Sequence, residues 1–255
     1  MERRAFLAGV TTGLAGTAGC LVGYRGGDGS EEPTTEYPGI AEYGYPGTIC
    51  EEERRPDAIP AIDDPAFGAN WDGADLPEAY RPGGLTDDRV VLGVSRDGAA
   101  HAYPLAVLAR HEVVNDTLGD PLLVTYCPIC RSGLVASREL DGEVATFGVT
   151  GLLWKPPDAY AAASEADGTV VGASESDPDA SVRDSGNLVM YDEPTGSRWS
   201  QVLAEAICGP RTGESLEIRP STVTTWGQWR SGHPDTGVLL PPPLSGTLDP
   251  AERVG

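Results

Sequence analysis

The sequence has few positive charges, and almost all of them belong to arginine. Lys155 is the only lysine, and 18 basic residues stand against 39 acidic ones, for a formal net charge of −21. No basic stripe could neutralise phosphates, which argues against a nucleic-acid partner. Hydrophobic residues make up 40% of the chain, enough for a core, so an acidic disordered protein is excluded. An acidic, lysine-poor surface is typical of halophilic proteins, because concentrated salt screens the repulsion between like charges.

Sequence signatures of several common architectures and enzymes are also missing. The chain contains no internal repeat, no Gly-rich phosphate loop and no G-x-S-x-G elbow. These absences argue against a repeat protein, a P-loop nucleotide hydrolase and an α/β-hydrolase. Nor is there a recognisable Ser/His/Asp order that would support another hydrolase.

The N-terminus has no hydrophobic run long enough to be a committed membrane span. Glu2-Arg3-Arg4-Ala5-Phe6-Leu7 matches a twin-arginine signal, and a weakly apolar, Gly-rich run follows it. Residues 17–20, TAGC, resemble a lipobox with Cys20 as the lipidated first residue. We therefore expect an exported, extracellular lipoprotein on the outer face of the cytoplasmic membrane, with plain cleavage near Cys20 as the alternative.

The composition changes along the chain and divides it into segments. After the signal, residues 1–20, we expect a flexible acidic tether over 21–55, which is rich in Gly, Glu, Pro and Thr. A β-rich domain is predicted over 56–240. Within it, 155–186 lack apolar periodicity and are expected to be a mobile acidic insertion. Residues 241–255 are expected to be a loose Pro-rich tail.

Short apolar runs separated by turn residues dominate the domain. Strands are predicted over Arg89–Ser95 and Ala99–Tyr103 around an Arg-Asp-Gly turn. Short helices are predicted over Leu105–Arg110, which Pro104 can open, and over Thr225–Ser231, with Thr224 or Thr225 as cap. We expect a mainly β (loosely α+β) fold: one compact domain of antiparallel hairpins with a few short helices.

The five cysteines fall into three groups. Cys20 is the expected lipid anchor. Cys50 and Cys208 could form a disulfide outside the cell, with a free thiol or a metal role as the alternatives. Cys127 and Cys130 form a C-P-I-C pair directly after the β-rich run Leu122–Tyr126. Such a pair can close a small disulfide, exchange disulfides or bind a soft metal.

Several sequence blocks, taken in order, resemble the domain-of-unknown-function 3179 family. They are AYPLAVLARHEVVND at 102–116, VTYCPIC at 124–130, TFGVTGLLW at 146–154, NLVMYDEPTGSRWSQ at 187–201 and TTWGQWRSGHPDTGVL at 224–239. The resemblance implies a compact β-rich domain and supplies no established activity. Two features depart from the family pattern: Arg131 stands where a small Gly is expected, and the insertion 155–186 separates two blocks that are usually almost adjacent.

Our lead hypothesis is a soft-metal site centred on the C-P-I-C pair. The candidate ligands all lie in these blocks: Cys127, Cys130, His111, Met190 and His233. Thiolates, imidazoles and a thioether suit copper first, and zinc second if the thioether is left out. Such a site would serve electron transfer or metal handling with a redox or metal partner. The competing interpretations are core packing for Met190, a local hydrogen bond for His111 and a surface loop for His233.

Two alternatives stay open, and so does the question of whether the protein is an enzyme. In the first, Cys127 and Cys130 exchange disulfides, and Arg131 favours a thiolate because a nearby cation lowers a thiol pKa. A thioredoxin-type fold would need a helix at the first cysteine, whereas a turn and a strand are predicted here. In the second, the protein is a non-catalytic cell-surface binding module with structural cysteines.

Overall fold

The computed structural model describes residues 47–51, 59–81, 84–154 and 187–248. These residues all belong to one unit of the chain, Tyr37–Gly255. The expected signal with Cys20, most of the expected tether and the insertion 155–186 lie outside the described residues.

A sheet of six strands, here called the central sheet, is the middle layer of the fold. Its strand order is β14-β7-β6-β5-β1-β17. The strands are β1 (Ile62–Asp64), β5 (Val113–Leu118), β6 (Asp120–Cys127), β7 (Ser132–Ser137), β14 (Ile218–Arg219) and β17 (Gly246–Thr247). All neighbouring strands are antiparallel except β1 and β5, which are parallel.

Two further sheets supply the other layers. The five-stranded sheet, in the order β15-β3-β4-β16-β2, contains β2 (Phe67–Gly68), β3 (Val90–Arg96), β4 (Ala99–Pro104), β15 (Thr222–Thr225) and β16 (Gly237–Leu239). The four-stranded sheet, in chain order, contains β10 (Phe147–Trp154), β11 (Asn187–Asp192), β12 (Arg198–Ser200) and β13 (Glu205–Cys208). A small hairpin pairs β8 (Glu139–Leu140) with β9 (Glu143–Val144).

The side chains of β6 show that the central sheet is the middle layer of the fold. Leu122 and Val124 belong to the core that includes residues of the five-stranded sheet. Leu123 and Cys127 belong to the core that includes residues of the four-stranded sheet. Successive side chains of a strand point to opposite faces, so a nearly continuous apolar run is what a strand buried on both faces requires.

Two α-helices, α1 and α2, pack beside the sheets within the described ranges. Helix α1 (Leu105–His111) follows β4 directly, and helix α2 (Trp226–Gly232) is capped by the Thr225 side chain, which accepts from the Gln228 N–H. A short 3₁₀ helix covers Gly47–Cys50. None of the described helices has both the length and the apolar character needed to span a membrane.

The mainly β fold class is confirmed, and one segment boundary needs correction. Residues 241–248 do not form a loose tail, because β17 pairs with β1 and the Leu248 N–H donates to the Ala61 carbonyl. The Ser245 hydroxyl accepts from the Ala66 N–H at 3.0 Å and donates to the Leu240 carbonyl. These non-local hydrogen bonds hold the segment in place, although it is Pro-rich and its sequence shows no apolar periodicity.

Candidate functional site

The C-P-I-C pair lies in the turn between β6 and β7, here called the cysteine turn (Cys127–Arg131). Cys127 is the last residue of β6 and pairs with Ser132, the first residue of β7. The Sγ atoms of Cys127 and Cys130 form a disulfide, with the two Cα atoms 5.2 Å apart. A hairpin turn therefore holds the pair, and no helix starts at the first cysteine.

The two sulfurs have different environments. Cys127 is fully buried, whereas Cys130 is only half-buried. The Cys130 N–H donates to the Cys127 Sγ at 3.0 Å. A backbone donor aimed at this sulfur stabilises a thiolate if the disulfide is reduced, because hydrogen bonds to a charged form favour it.

The tip of the cysteine turn is apolar, and its last residue is strained. Ile129 is 41% exposed. Arg131, which is exposed, has φ of 53°. This left-handed conformation is free of steric cost for glycine and unfavourable for other residues. The conformation gives a physical reason why a small Gly would be expected at this position.

His111 ends α1 and has a partner at both ring nitrogens. Its Nδ1 lies 2.8 Å from the Pro60 carbonyl and its Nε2 lies 3.1 Å from the Tyr80 hydroxyl. A carbonyl can only accept, so Nδ1 carries the proton and Nε2 accepts from Tyr80. Burial lowers the His111 pKa, an effect that the hydrogen bond to Pro60 partly opposes and Arg110 adds to. Both ring nitrogens are therefore occupied, by the Pro60 carbonyl and the Tyr80 hydroxyl.

Glu112 is a buried acid that our sequence interpretation did not single out. It caps α1 with φ of 56°, its side chain is almost fully buried, and its carbonyl accepts from the Tyr126 N–H at 2.8 Å. Burial raises the pKa of its carboxyl from 4.5 to about 7. The sequence signal that could have revealed Glu112 is its position directly before the apolar residues of β5. From the sequence alone, an acid at such a position would be expected to face water.

Met190 and His233, the remaining candidate ligands, lie in different parts of the fold. Met190 is fully buried in β11, where it pairs with Trp199 of β12, and it shares one hydrophobic core with Cys127. His233 follows α2, and its ring centroid lies 4.1 Å from that of Trp229. In the described ranges, no three His, Cys, Asp or Glu side chains form a group that could hold a metal ion. The soft-metal hypothesis stays a prediction without a ready ligand set among these residues.

The Cys50 and Cys208 Sγ atoms also form a disulfide, with Cα atoms 5.5 Å apart across 158 residues of sequence. It joins the 3₁₀ helix Gly47–Cys50 to β13 and so fixes the end of the expected tether to the four-stranded sheet. Cys20 lies outside the described residues.

A second cluster of polar side chains, on β4 and β5, was not predicted from the sequence. Asp116 of β5 accepts from the Tyr103 hydroxyl at 2.5 Å, and the same oxygen lies 2.7 Å from the His101 Nδ1. The His101 ring also stacks on Phe67, with centroids 3.7 Å apart. Burial, followed by the charge of Asp116 and the hydrogen bond to it, raises the Tyr103 pKa well above its usual range. The cluster joins β4 of the five-stranded sheet to β5 of the central sheet.

A cleft of about 440 Å³ opens beside the cysteine turn. Its lining includes Trp71, Leu85, Leu105, Ala106, Tyr126 and Pro128. Pro128 is the residue of the cysteine turn that lines the cleft. The cleft residues Trp71, Leu105 and Tyr126 belong to the core shared with the five-stranded sheet, whereas Cys127 and Cys130 pack in the core on the other face of β6. The volume lies within the range of protein ligand sites.

These features define a class of mainly β, layered-sheet domain with a disulfide in a hairpin turn next to a cleft. The chain belongs to the family described as Protein of unknown function (DUF3179), whose model matches residues 56–156 and 181–247. The resemblance read from the sequence blocks is thereby confirmed. No curated protein and no solved structure matches the chain.

Proposed function

We propose that the protein is a thiol–disulfide exchange protein that uses Cys127 and Cys130 to oxidise dithiols of partner proteins. The observation that carries the proposal is the asymmetry of the turn disulfide. One sulfur belongs to the half-buried Cys130, and the other belongs to the fully buried Cys127, which accepts a backbone N–H. A disulfide with a purely structural role requires neither a partly exposed cysteine nor a hydrogen-bond donor to the sulfur of the other one.

The asymmetry supports one order of steps. A thiolate of the partner attacks the Cys130 Sγ, the bond between the Sγ atoms breaks, and Cys127 leaves as a thiolate that the Cys130 N–H stabilises. The second partner thiolate then attacks the partner sulfur bonded to Cys130, and Cys130 leaves as a thiolate. Two electrons and two protons pass from the partner dithiol to the pair. The partner gains a disulfide, and the protein ends with two thiols.

The remaining sequence features fit this chemistry. A twin-arginine segment and the lipobox-like Cys20 would deliver the protein to the outer face of the cytoplasmic membrane, where disulfides persist. A second disulfide, Cys50–Cys208, suits the same compartment. The acidic, lysine-poor composition suits an environment of concentrated salt, so we propose that the exchange takes place there.

The proposal is tested on the full chain carrying Cys20→Ser, purified in high salt, so that every thiol counted comes from the two disulfides. The oxidised protein is mixed with a reduced dithiol peptide, and free thiols are alkylated and located by mass spectrometry. We expect the Cys127–Cys130 disulfide to be reduced in the native state as the peptide is oxidised.

Two single-cysteine variants test the assigned order. Cys127→Ser leaves the sulfur of the half-buried Cys130 and is expected to form a mixed disulfide with a peptide disulfide. Cys130→Ser leaves the buried sulfur and is expected to form much less. A native pair that resists both the peptide and dithiothreitol would overturn the proposal, and elemental analysis of copper and zinc in the reduced protein would then test the soft-metal hypothesis. Equal trapping by both variants would overturn the order of steps.

A further inference from the structure

We propose that a buried hydrogen-bond network beside the cysteine turn sets the redox equilibrium of the Cys127–Cys130 pair, with Gln201 as its positioning residue. The inference rests on the exchange activity proposed above and specifies how that activity is regulated. The Gln201 side chain is 1% exposed, and both ends of its amide are hydrogen-bonded. Its Nε2 donates to the Thr125 hydroxyl at 2.9 Å, and its Oε1 accepts from the Ser132 hydroxyl at 2.9 Å. These three side chains are here called the Gln201 network.

The Gln201 network lies on the face of the central sheet that holds both cysteines. Ser132 is the residue of β7 that pairs directly with Cys127. Thr125 lies two positions before Cys127 on β6, and residues two apart on a strand point to the same face. Leu123 and Cys127 pack in the core that includes the four-stranded sheet, and Cys130 packs against that core. The two hydroxyl residues are therefore neighbours of Cys127, one along its strand and one across the hairpin.

Gln201 joins both strands of this hairpin to the four-stranded sheet. It directly follows β12, and its backbone N–H donates to the Leu188 carbonyl of β11 at 2.9 Å. Thr125 and Ser132 belong to different strands of the hairpin and lie 76 and 69 positions from Gln201 in the sequence. One buried side chain thus fixes the strand ends on either side of the cysteine turn relative to each other.

The Gln201 network matters most when the disulfide is open. In the oxidised protein, the bond between the two Sγ atoms itself holds the sides of the cysteine turn together. In the reduced protein that restraint is gone, and the hydrogen bonds of Gln201 help to keep β6 and β7 in the arrangement that the disulfide requires. Two thiols held in position re-form their bond more readily, because closure then costs less conformational entropy. The network thus favours the oxidised form, which is the form that reacts with partner dithiols.

Loss of the Gln201 side chain affects the two redox states unequally. The oxidised protein loses the stabilisation in full, because its disulfide still keeps the cysteine turn in place. The reduced protein loses less, because its turn gains conformational freedom once the network is absent. We expect the equilibrium to shift towards the reduced pair by about fivefold, which is close to the net contribution of one hydrogen bond.

The test uses the full chain carrying Cys20→Ser, equilibrated in high salt with graded mixtures of reduced and oxidised dithiothreitol. Reduction of the pair takes two electrons and two protons from dithiothreitol, which closes to its cyclic disulfide. Alkylation and mass spectrometry give the reduced fraction of each disulfide separately. The ratio of reduced to oxidised dithiothreitol at half reduction of the Cys127–Cys130 pair should be about fivefold lower for Gln201→Leu than for the wild type. The Cys50–Cys208 disulfide of the same molecules is the internal reference and should keep its ratio.

Further variants separate positioning from a general loss of stability. Ser132→Ala removes the contact of Gln201 with β7 and should shift the equilibrium in the same direction. Ser132→Thr keeps a hydroxyl and should stay within about twofold of the wild type. Gln228→Leu is the matched control, because Gln228 is an exposed glutamine of α2, and it should leave the equilibrium unchanged. Near-UV circular dichroism shows which variants are folded, and Ser132→Ala decides the question if Gln201→Leu is not.

The outcomes distinguish this inference from the proposed function. A folded Gln201→Leu variant with an unchanged or higher ratio, or with an equal shift of both disulfides, would overturn the inference while leaving exchange intact. A Cys127–Cys130 disulfide that none of the mixtures reduces in the folded wild type would overturn the proposed function, and this inference with it.

Discussion

Glu112 allows a quantitative prediction about stability. Replacement by glutamine keeps the shape of the protonated acid and removes its titration. Burial raises the Glu112 pKa from 4.5 to about 7 in the folded protein. Because the folded pKa is higher than the unfolded one, the folded state loses stability as the pH rises from about 4.5 to about 7, and the loss is complete above the folded value.

The size of the effect follows from the two pKa values. One pKa unit corresponds to about 1.4 kcal/mol. For a single group titrating at 4.5 unfolded and about 7 folded, the cost to the wild type is about 1 kcal/mol at pH 5.5 and about 3 kcal/mol at pH 8.5. Glu112→Gln should therefore raise the free energy of unfolding, by about 2 kcal/mol more at the higher pH than at the lower.

Urea unfolding in high salt, followed by tryptophan fluorescence across this pH range, measures the difference. Glu78→Gln is the matched control, because Glu78 lies at an exposed position, and it should change stability by less than about 0.5 kcal/mol throughout. A gain that does not grow with pH, or a Glu112→Gln variant less stable than the wild type at pH 8.5, would refute the assignment of a buried, proton-binding acid at this position.

Three further predictions concern the scaffold. Replacing both Cys50 and Cys208 by serine should cost roughly 2–5 kcal/mol in urea unfolding without reductant, since their disulfide closes a long loop. Because burial lowers the His111 pKa, protonation of His111 costs stability as the pH falls below 6.5, which opposes the gain that Glu112 gives over the same range. In urea unfolding, the stability of His111→Gln relative to the wild type should therefore rise as the pH falls. Gly93→Ala should cost roughly 1–3 kcal/mol in thermal or urea unfolding, because its Cβ would lie 2.4 Å from a tryptophan ring. Gly232→Ala, where a Cβ meets nothing within 4 Å, should not destabilise.

The elements that could be predicted from the sequence are those defined by neighbouring residues. Helix α1 begins at Leu105, directly after the predicted helix-opening Pro104, which is its N-cap residue and makes no side-chain capping bond. Thr225 caps α2 through its own side chain, as local capping rules predict. The apolar run before Cys127 is a strand because its β-branched and aromatic residues favour an extended backbone. These signals act within a few residues, so a single sequence shows them.

Parts of the candidate site could not be predicted because they depend on long-range contacts. The sequence favoured His111 as a metal ligand. In the structure its two ring nitrogens contact Pro60 and Tyr80, which lie 51 and 31 residues away in the sequence. Met190 shares a core with Cys127 although 63 positions separate them in the sequence. Neither the hydrogen bonds of His111 nor the core shared by Met190 and Cys127 produces a periodic or compositional pattern in the sequence.

The sequence alone determined the family, the mainly β class and the presence of a C-P-I-C pair at the end of a strand. Only the tertiary structure decided how that pair sits: Cys127 fully buried between two sheets, Cys130 half-buried, and a cleft beside Pro128. The physical reason is that strand and turn propensities are local, whereas burial and hydrogen-bond partners depend on how distant strands pack.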